Sequence, residues 1–218
     1  MSILFMWVVV MIVCMFAARA QRAKPKSVQK CVPNAGQIQA GEYGELQVAK
    51  ELDRLKEHLY GYVCTGNVKY DGENFECDFL LAVKGYGLVL LEVKYFAGQV
   101  NCSGREQWTQ LKQDHTVVPH RNACLQVLRT RGLVAKLLAD HNLLHGKIMP
   151  AVVFSHRHSQ VMVEVGPIPT QCKVTHISQL APWLKSLARL NHASDVESKR
   201  FERIGTLLKQ HEVAYHAA

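Results

Sequence analysis

Two runs of β-forming residues, Phe75–Val83 and Leu88–Lys94, flank the tetrapeptide Lys84-Gly85-Tyr86-Gly87. Branched and aromatic side chains favour a pleated strand, and glycine supplies the conformations of a tight turn, so the stretch reads as a β-hairpin. Gly85 and Gly87 serve the turn and do not cradle a phosphate, because no helix N-terminus follows them. A three-residue loop, Lys84-Gly85-Tyr86, pairs Val83 with Gly87. That register sets Asp78 across from Glu92 and Glu76 across from Lys94. Side chains alternate along a strand, so Glu76, Asp78 and Leu80 share one face with Leu90, Glu92 and Lys94. Directly opposed residues have Cβ atoms about 4.5–5.5 Å apart. Two carboxylates that close repel each other unless a cation or a fixed positive charge stands nearby. A loop shifted by one residue would send the two acids to opposite faces.

The surrounding pattern supplies the frame. Gly41–Leu59 carries apolar residues at Leu46, Val48, Ala49, Leu52, Leu55 and Leu59, a helical period. Tyr62–Val68 reads as a strand, with a turn at Asp71-Gly72. Gly98–Pro119 is polar and reads as irregular, with Trp108 as a local anchor. Asn122 to about Asn142 is a helix with an apolar stripe. Ala151–Phe154, Val161–Val165 and Lys173–Ile177 are further strands, and helices over Ser178–Leu190 and Asp195–His211 follow. Helices interleaved with a three-strand meander and later strands predict an α/β sandwich around a mixed β-sheet.

Several motifs occur in a fixed order: Gly41-Glu42-Tyr43-Gly44-Glu45, Cys77-Asp78, the run GLVLLEVKYFAGQV from Gly87 to Val100, and Trp108. In this order they resemble the NERD, or nuclease-related, domain. The likeness spans about Gln39 to Ala139. That family is similar to the PD-(D/E)xK nucleases, so the resemblance implies a restriction-endonuclease-like fold and hydrolysis of phosphodiester bonds, DNA being the expected substrate. It implies Asp78 and Glu92 as ligands of Mg²⁺ or Mn²⁺, the Val93 backbone carbonyl completing the set, and Glu45 as a further ligand or water holder. Lys94 would orient water or neutralise the pentavalent phosphorus, and Gln126 would position substrate or the lysine. Hard oxygen ligands suit Mg²⁺, which keeps several waters and binds substrate phosphate. Asn122-Ala123-Cys124-Leu125-Gln126 keeps the family's Asn and Gln without its Pro, and Phe79 stands where the family often has His. Neither departure removes an expected metal ligand. The alternative function is a non-catalytic module of the same fold that binds nucleic acid or a protein at the membrane.

Composition matters chiefly at the N-terminus. Ile3–Ala18 is sixteen residues without a charge, and Arg19, Arg22, Lys24, Lys26 and Lys30 follow before the first acid, Glu42. As a helix it would reach about 24 Å, which with Ser2, a snorkelling Arg19 and Ala20 approaches the ~30 Å hydrocarbon core. The basic flank places the remainder in the cytoplasm, so the expectation is a single-pass transmembrane helix in the inner (cytoplasmic) membrane. Ala18-Arg19-Ala20 also fits a signal-peptidase site, which leaves export after cleavage as the alternative. The expected layout is residues 1–20 anchor or signal, 21–37 basic linker, 38–177 nuclease-like domain and 178–218 helical region. The whole chain of 218 residues carries 26 basic against 18 acidic groups, a net +8. Arg19 and the four juxtamembrane cations account for five of those charges, leaving about +3 for the folded part, so the charge balance speaks for the membrane more than for nucleic acid.

Other features carry less. Seven cysteines show no C-x-x-C and no disulfide-framework spacing, and Cys77 and Cys124 fall in apolar stretches as small hydrophobes. His141 and His145 are four apart near a helix end, where the dipole favours histidine. His156-Arg157-His158 reads as a solvated turn. Arg121, Arg129, Arg131 and Lys136 make the second helix basic, either to track phosphates or as ordinary solvated surface.

Overall fold

The computed structural model describes residues 35–164, 171–190 and 194–213, and the expected segment Ile3–Ala18 lies outside them. The elements in chain order are α1 (Ala35–Asp53), β1 (Leu59–Tyr70), β2 (Glu73–Val83), β3 (Gly87–Lys94), β4 (Gly98–Cys102), β5 (Gln107–Leu111) and β6 (Val117–Arg121). They continue with α2 (Ala123–Asp140), β7 (Ile148–Phe154), β8 (Ser159–Val163), β9 (Lys173–His176), α3 (Ile177–Leu187) and α4 (Asp195–Gln210). Among the described residues no helix is long and apolar enough to cross a membrane.

The hairpin forms in the expected register. Val83 opposes Gly87 and the ladder runs to Phe79 opposite Leu91. It stops there, so neither expected pairing beyond it, Asp78 with Glu92 or Glu76 with Lys94, is part of the ladder; on its other edge β2 continues along β1, with Glu76 opposite Asn67. The reason is local: the Val93 N–H donates to Asp78 Oδ2 at 2.7 Å, which draws the end of β3 onto a side chain. Upstream, Tyr70 opposes Glu73 across a two-residue turn in which Asp71 (φ 52°) and Gly72 (φ 76°) both take positive φ, the twist-matched hairpin geometry.

The five-stranded sheet has the order β1-β2-β3-β7-β9. Its first three strands are antiparallel, whereas β7 runs parallel to both β3 and β9, so the sheet is mixed as expected. Helices cover both faces, the arrangement demanded by strands that are apolar on both sides. On one face Phe79, Leu81, Val89, Leu91 and Val153 pack with Val48 and Leu52 of α1 and Leu180 and Leu184 of α3. On the other, Leu80, Leu88, Leu90 and Phe154 pack with Val134 and Leu138 of α2 and Ile204 and Leu208 of α4. The C-terminal helices thus complete both cores.

Gly98–Pro119 is not irregular. It forms β4, β5 and most of β6, which with β8 make a second sheet in the order β6-β5-β4-β8. These strands are five residues each and mostly polar, and a buried glutamine replaces an apolar residue. Gln110 donates from Nε2 to the Ala97 carbonyl at 2.6 Å and accepts its place in the core through that bond. Trp108, expected as a local anchor, is fully buried, with Nε1 donating to the Ser103 carbonyl at 2.9 Å. α1 also begins before Gly41 and ends at Asp53, so Leu59 belongs to β1.

Helix α2 starts on a buried cap. Asn122 Oδ1 accepts from the Cys124 and Leu125 N–H groups, while its Nδ2 donates to the carbonyls of Ser103 and Arg105. One side chain therefore satisfies the helix start and a loop of the second sheet. Asn122→Ala should cost about 2–4 kcal/mol in urea unfolding, a lost cap plus two orphaned buried carbonyls. Asn122→Asp keeps the cap but sets a buried carboxylate against those carbonyls; full stability of that variant would contradict the assignment.

Candidate active site

The even-numbered residues of β2 and β3 that point toward α2 are apolar until the strands' open end, where Asp78, Glu92 and Lys94 replace them. Glu92 is only 4% exposed. Lys94 Nζ donates to Glu92 Oε1 at 2.7 Å and to Gln126 Oε1 at 3.3 Å. Gln126 stands on the first turn of α2, placed there by the Asn122 cap. Val93 enters the cluster through its N–H on Asp78.

Glu45 arrives from the other face of the sheet. α1 passes so close to the ends of β3 and β7 that a Cβ on Gly44 would meet Ser155 Oγ at 2.7 Å and Tyr95 Cβ at 2.9 Å. Only glycine allows that approach, and it delivers the next residue to the acids. The structure thus gathers Asp78, Glu92, Lys94, Val93 and Gln126 by direct contacts, and brings Glu45 within their field.

That field is strongly negative. Burial pushes the Glu92 carboxyl up to about 7, Lys94 pulls it down and Asp78 adds to the rise. Asp78 is raised by burial, against the Val93 N–H and Lys94, which favour its charge. Partial burial, then Asp78, Glu76 and Glu42, raise Glu45 to about 7, although its exposure to water softens that push. Burial works against the Lys94 ammonium, but Glu92, Asp78 and Glu45 outweigh it and hold its pKa above the usual value. One lysine therefore faces several carboxylates. Paired hard oxygen donors in excess negative charge fit a divalent cation. Among the described residues no three acid, histidine or cysteine side chains are grouped to cage an ion alone. Two carboxylates suffice for Mg²⁺, which draws its other ligands from water and phosphate.

Residues outside the expected set also gather here. His120 on β6 is half-buried, stacked on Phe96 at 4.0 Å, with Nε2 2.8 Å from Gln110 Oε1. Burial lowers its pKa, and Lys94 and Lys112 lower it further. Its place depends on β5 and β6, which the polar sequence concealed; the alternation around Val118 and His120 was the one signal. The basic face of α2 is occupied otherwise: Arg129 pairs with Glu73, Lys136 with Asp71 at 2.5 Å, and Arg131 reaches Gln171. His141 caps α2 with Nδ1 on the Leu137 carbonyl at 2.9 Å, whereas His145 lies beyond the helix, so the two do not share a helical face.

A family model described as a nuclease-related domain (NERD) matches residues 40–155, just over half of the chain. The match runs from α1 to the end of β7 and contains Glu45, Asp78, Glu92, Lys94 and Gln126. No curated protein and no solved structure matches the chain.

The raised Glu92 pKa has a consequence for stability. The folded protein binds that proton more tightly than the unfolded chain, whose carboxyl titrates near 4.5. Its stabilising contribution is complete below about 4.5 and is lost as pH climbs through about 7. In EDTA, urea stability should fall by on the order of 1–3 kcal/mol between about pH 5 and 8. Glu92→Gln should make that slope shallower; an unchanged slope would show that Glu92 titrates normally.

Proposed function

This chain belongs to the nuclease-related domain family, and on that ground we propose that it hydrolyses nucleic-acid phosphodiester bonds, with DNA as substrate and Mg²⁺ or Mn²⁺ as cofactor. The observation that carries the reading is the buried Glu92–Lys94 pair beside Asp78, an acid, an acid and a lysine on one face of a strand end.

Asp78 and Glu92 would hold the ion, with the Val93 carbonyl and Glu45 as further oxygen donors. When bound, such an ion supplies positive charge to the phosphoryl oxygens and lowers the pKa of water. Lys94 contributes as a cation and not as a base, because the surrounding acids keep it protonated. Its ammonium is a compact point charge suited to the negative charge that develops on phosphorus-bound oxygens. Gln126 Oε1 accepts from Lys94 as Glu92 does, so two acceptors from different elements hold the ammonium in place. Glu45, on the water-exposed side of the cluster, can accept a hydrogen bond from the attacking water.

Cleavage of single- and double-stranded DNA and of RNA, with Mg²⁺, Mn²⁺ or EDTA, tests this directly. Wild type should cut DNA with either metal and not in EDTA. Lys94→Ala should lower the rate by about 10²-fold or more, the scale for removing one charge-stabilising donor. Equal behaviour of wild type and Lys94→Ala would remove the lysine's role, and binding without cleavage would favour the non-catalytic module.

We further propose that Ile3–Ala18 anchors the protein in the cytoplasmic membrane, with the folded domain inside. The uncharged run and the basic residues from Arg19 to Lys30 support this orientation. A reporter fused after Lys30 should report the cytoplasm; a periplasmic signal would reverse the topology.

A further inference from the structure

The carboxyl ends of β3 and β7 open onto a cavity of about 560 Å³ on the side opposite Lys94. This is within the ~300–1,000 Å³ range of small-ligand sites. Tyr95, the residue after Lys94, forms one wall. Tyr43 of α1 packs edge-to-face with it at 5.4 Å, and His156 does so at 4.6 Å. Tyr43 is half exposed, so the rings present free aromatic surface. Arg157 and His158 form the rim; both are exposed, and among the described residues no carboxylate pairs with either. The acid in the lining, Glu51, is bound to Arg54 at 2.5 Å. A second cavity of about 450 Å³ shares Arg157 and His158 and adds Lys112 and His115.

The cavity is tied to the candidate site through the backbone. The Ser155 N–H donates to the Lys94 carbonyl at 2.9 Å, and Tyr43 and Glu45 are two residues apart on α1. Aromatic rings with a basic border suit a base and its phosphates, because every base offers a π-face, which in a duplex is covered by the neighbouring stacked bases. We propose that the Tyr43–Tyr95–His156 cavity receives an unpaired base of a strand that rounds the carboxyl ends of β3 and β7 from the Lys94 face, with Arg157 and His158 on the flanking backbone phosphates and Lys112 and His115 continuing the track. The substrate is then a single strand, or a duplex with a base turned out. This inference rests on the nuclease reading for the kind of polymer, but it concerns binding and does not require cleavage.

The test is binding in EDTA, followed by fluorescence anisotropy of a labelled dT 12-mer, an rU 12-mer and a 12-base-pair duplex. A dT 12-mer carrying one 2-aminopurine gives a separate stacking readout. Wild type should prefer the single strands and quench the 2-aminopurine. Tyr43→Ala should weaken single-strand binding by about ten-fold or more and abolish the quench, since stacking on one ring carries that scale of effect. Arg157→Ala/His158→Ala should lower the salt slope by about 1 while keeping the quench. Both variants change exposed side chains, and unaltered thermal unfolding verifies the fold. If single strands bind with this Tyr43 dependence but no nucleic acid is cut, the cavity stands and hydrolysis falls. If DNA is cut while single strands bind no better than duplex, or while Tyr43→Ala binds and quenches as wild type, the cavity proposal is overturned and hydrolysis stands.

Discussion

Glu92 and Lys94 lie two residues apart at the end of a strand whose other side chains fill two cores, and their contact of 2.7 Å is made largely away from water. Desolvating both charges costs several kcal/mol each, and their mutual attraction offsets this only with further polar partners. Those partners come from three separate elements. β2 contributes Asp78, which holds the strand end through the Val93 N–H; α2 contributes Gln126; and α1 crosses close enough, at Gly44, to add Glu45. The bulk of the fold is what makes the pair expensive, and polar groups from β2, the first turn of α2 and the middle of α1 are what make it tolerable.

The balance is incomplete in a direction that bears on function. Several carboxylates share one ammonium, and burial with mutual repulsion pushes Glu45 and Glu92 to about 7. A purely structural ion pair would not need the additional acids. A site built to accept a divalent cation would be under-neutralised in this way until the cation arrives, and only then could it take an anionic phosphate. The basic side chains of α2 and those of the turn after β7 differ in how they are engaged. Arg129 and Lys136 are engaged with Glu73 and Asp71, while Arg157 and His158 stand exposed on the expected solvated turn and pair with no carboxylate among the described residues.

What could be read from sequence followed the rules of local structure. The hairpin register was legible because a three-residue turn pairs Val83 with Gly87, and strict alternation then carries that register to Phe79 opposite Leu91, one residue short of Asp78 and Glu92. The start of α2 was legible because asparagine before an apolar stripe marks a cap. The second sheet was not, because Gln107–Leu111 carries its core position on a tryptophan and a hydrogen-bonded glutamine, and no apolar alternation remains to be seen. The aromatic cavity was not either: Tyr43, Tyr95 and His156 come from three segments whose meeting depends on one close helix approach at Gly44.

The proposed hydrolysis requires Asp78 and Glu92 to share one divalent ion. Calorimetric titration of Mn²⁺ into the nucleic-acid-free protein tests it most directly. One saturable site in the wild type, lost in both Asp78→Asn and Glu92→Gln and retained in Lys94→Ala, is the predicted result. A wild type without saturable binding, or carboxylate variants that bind as the wild type does, would contradict it.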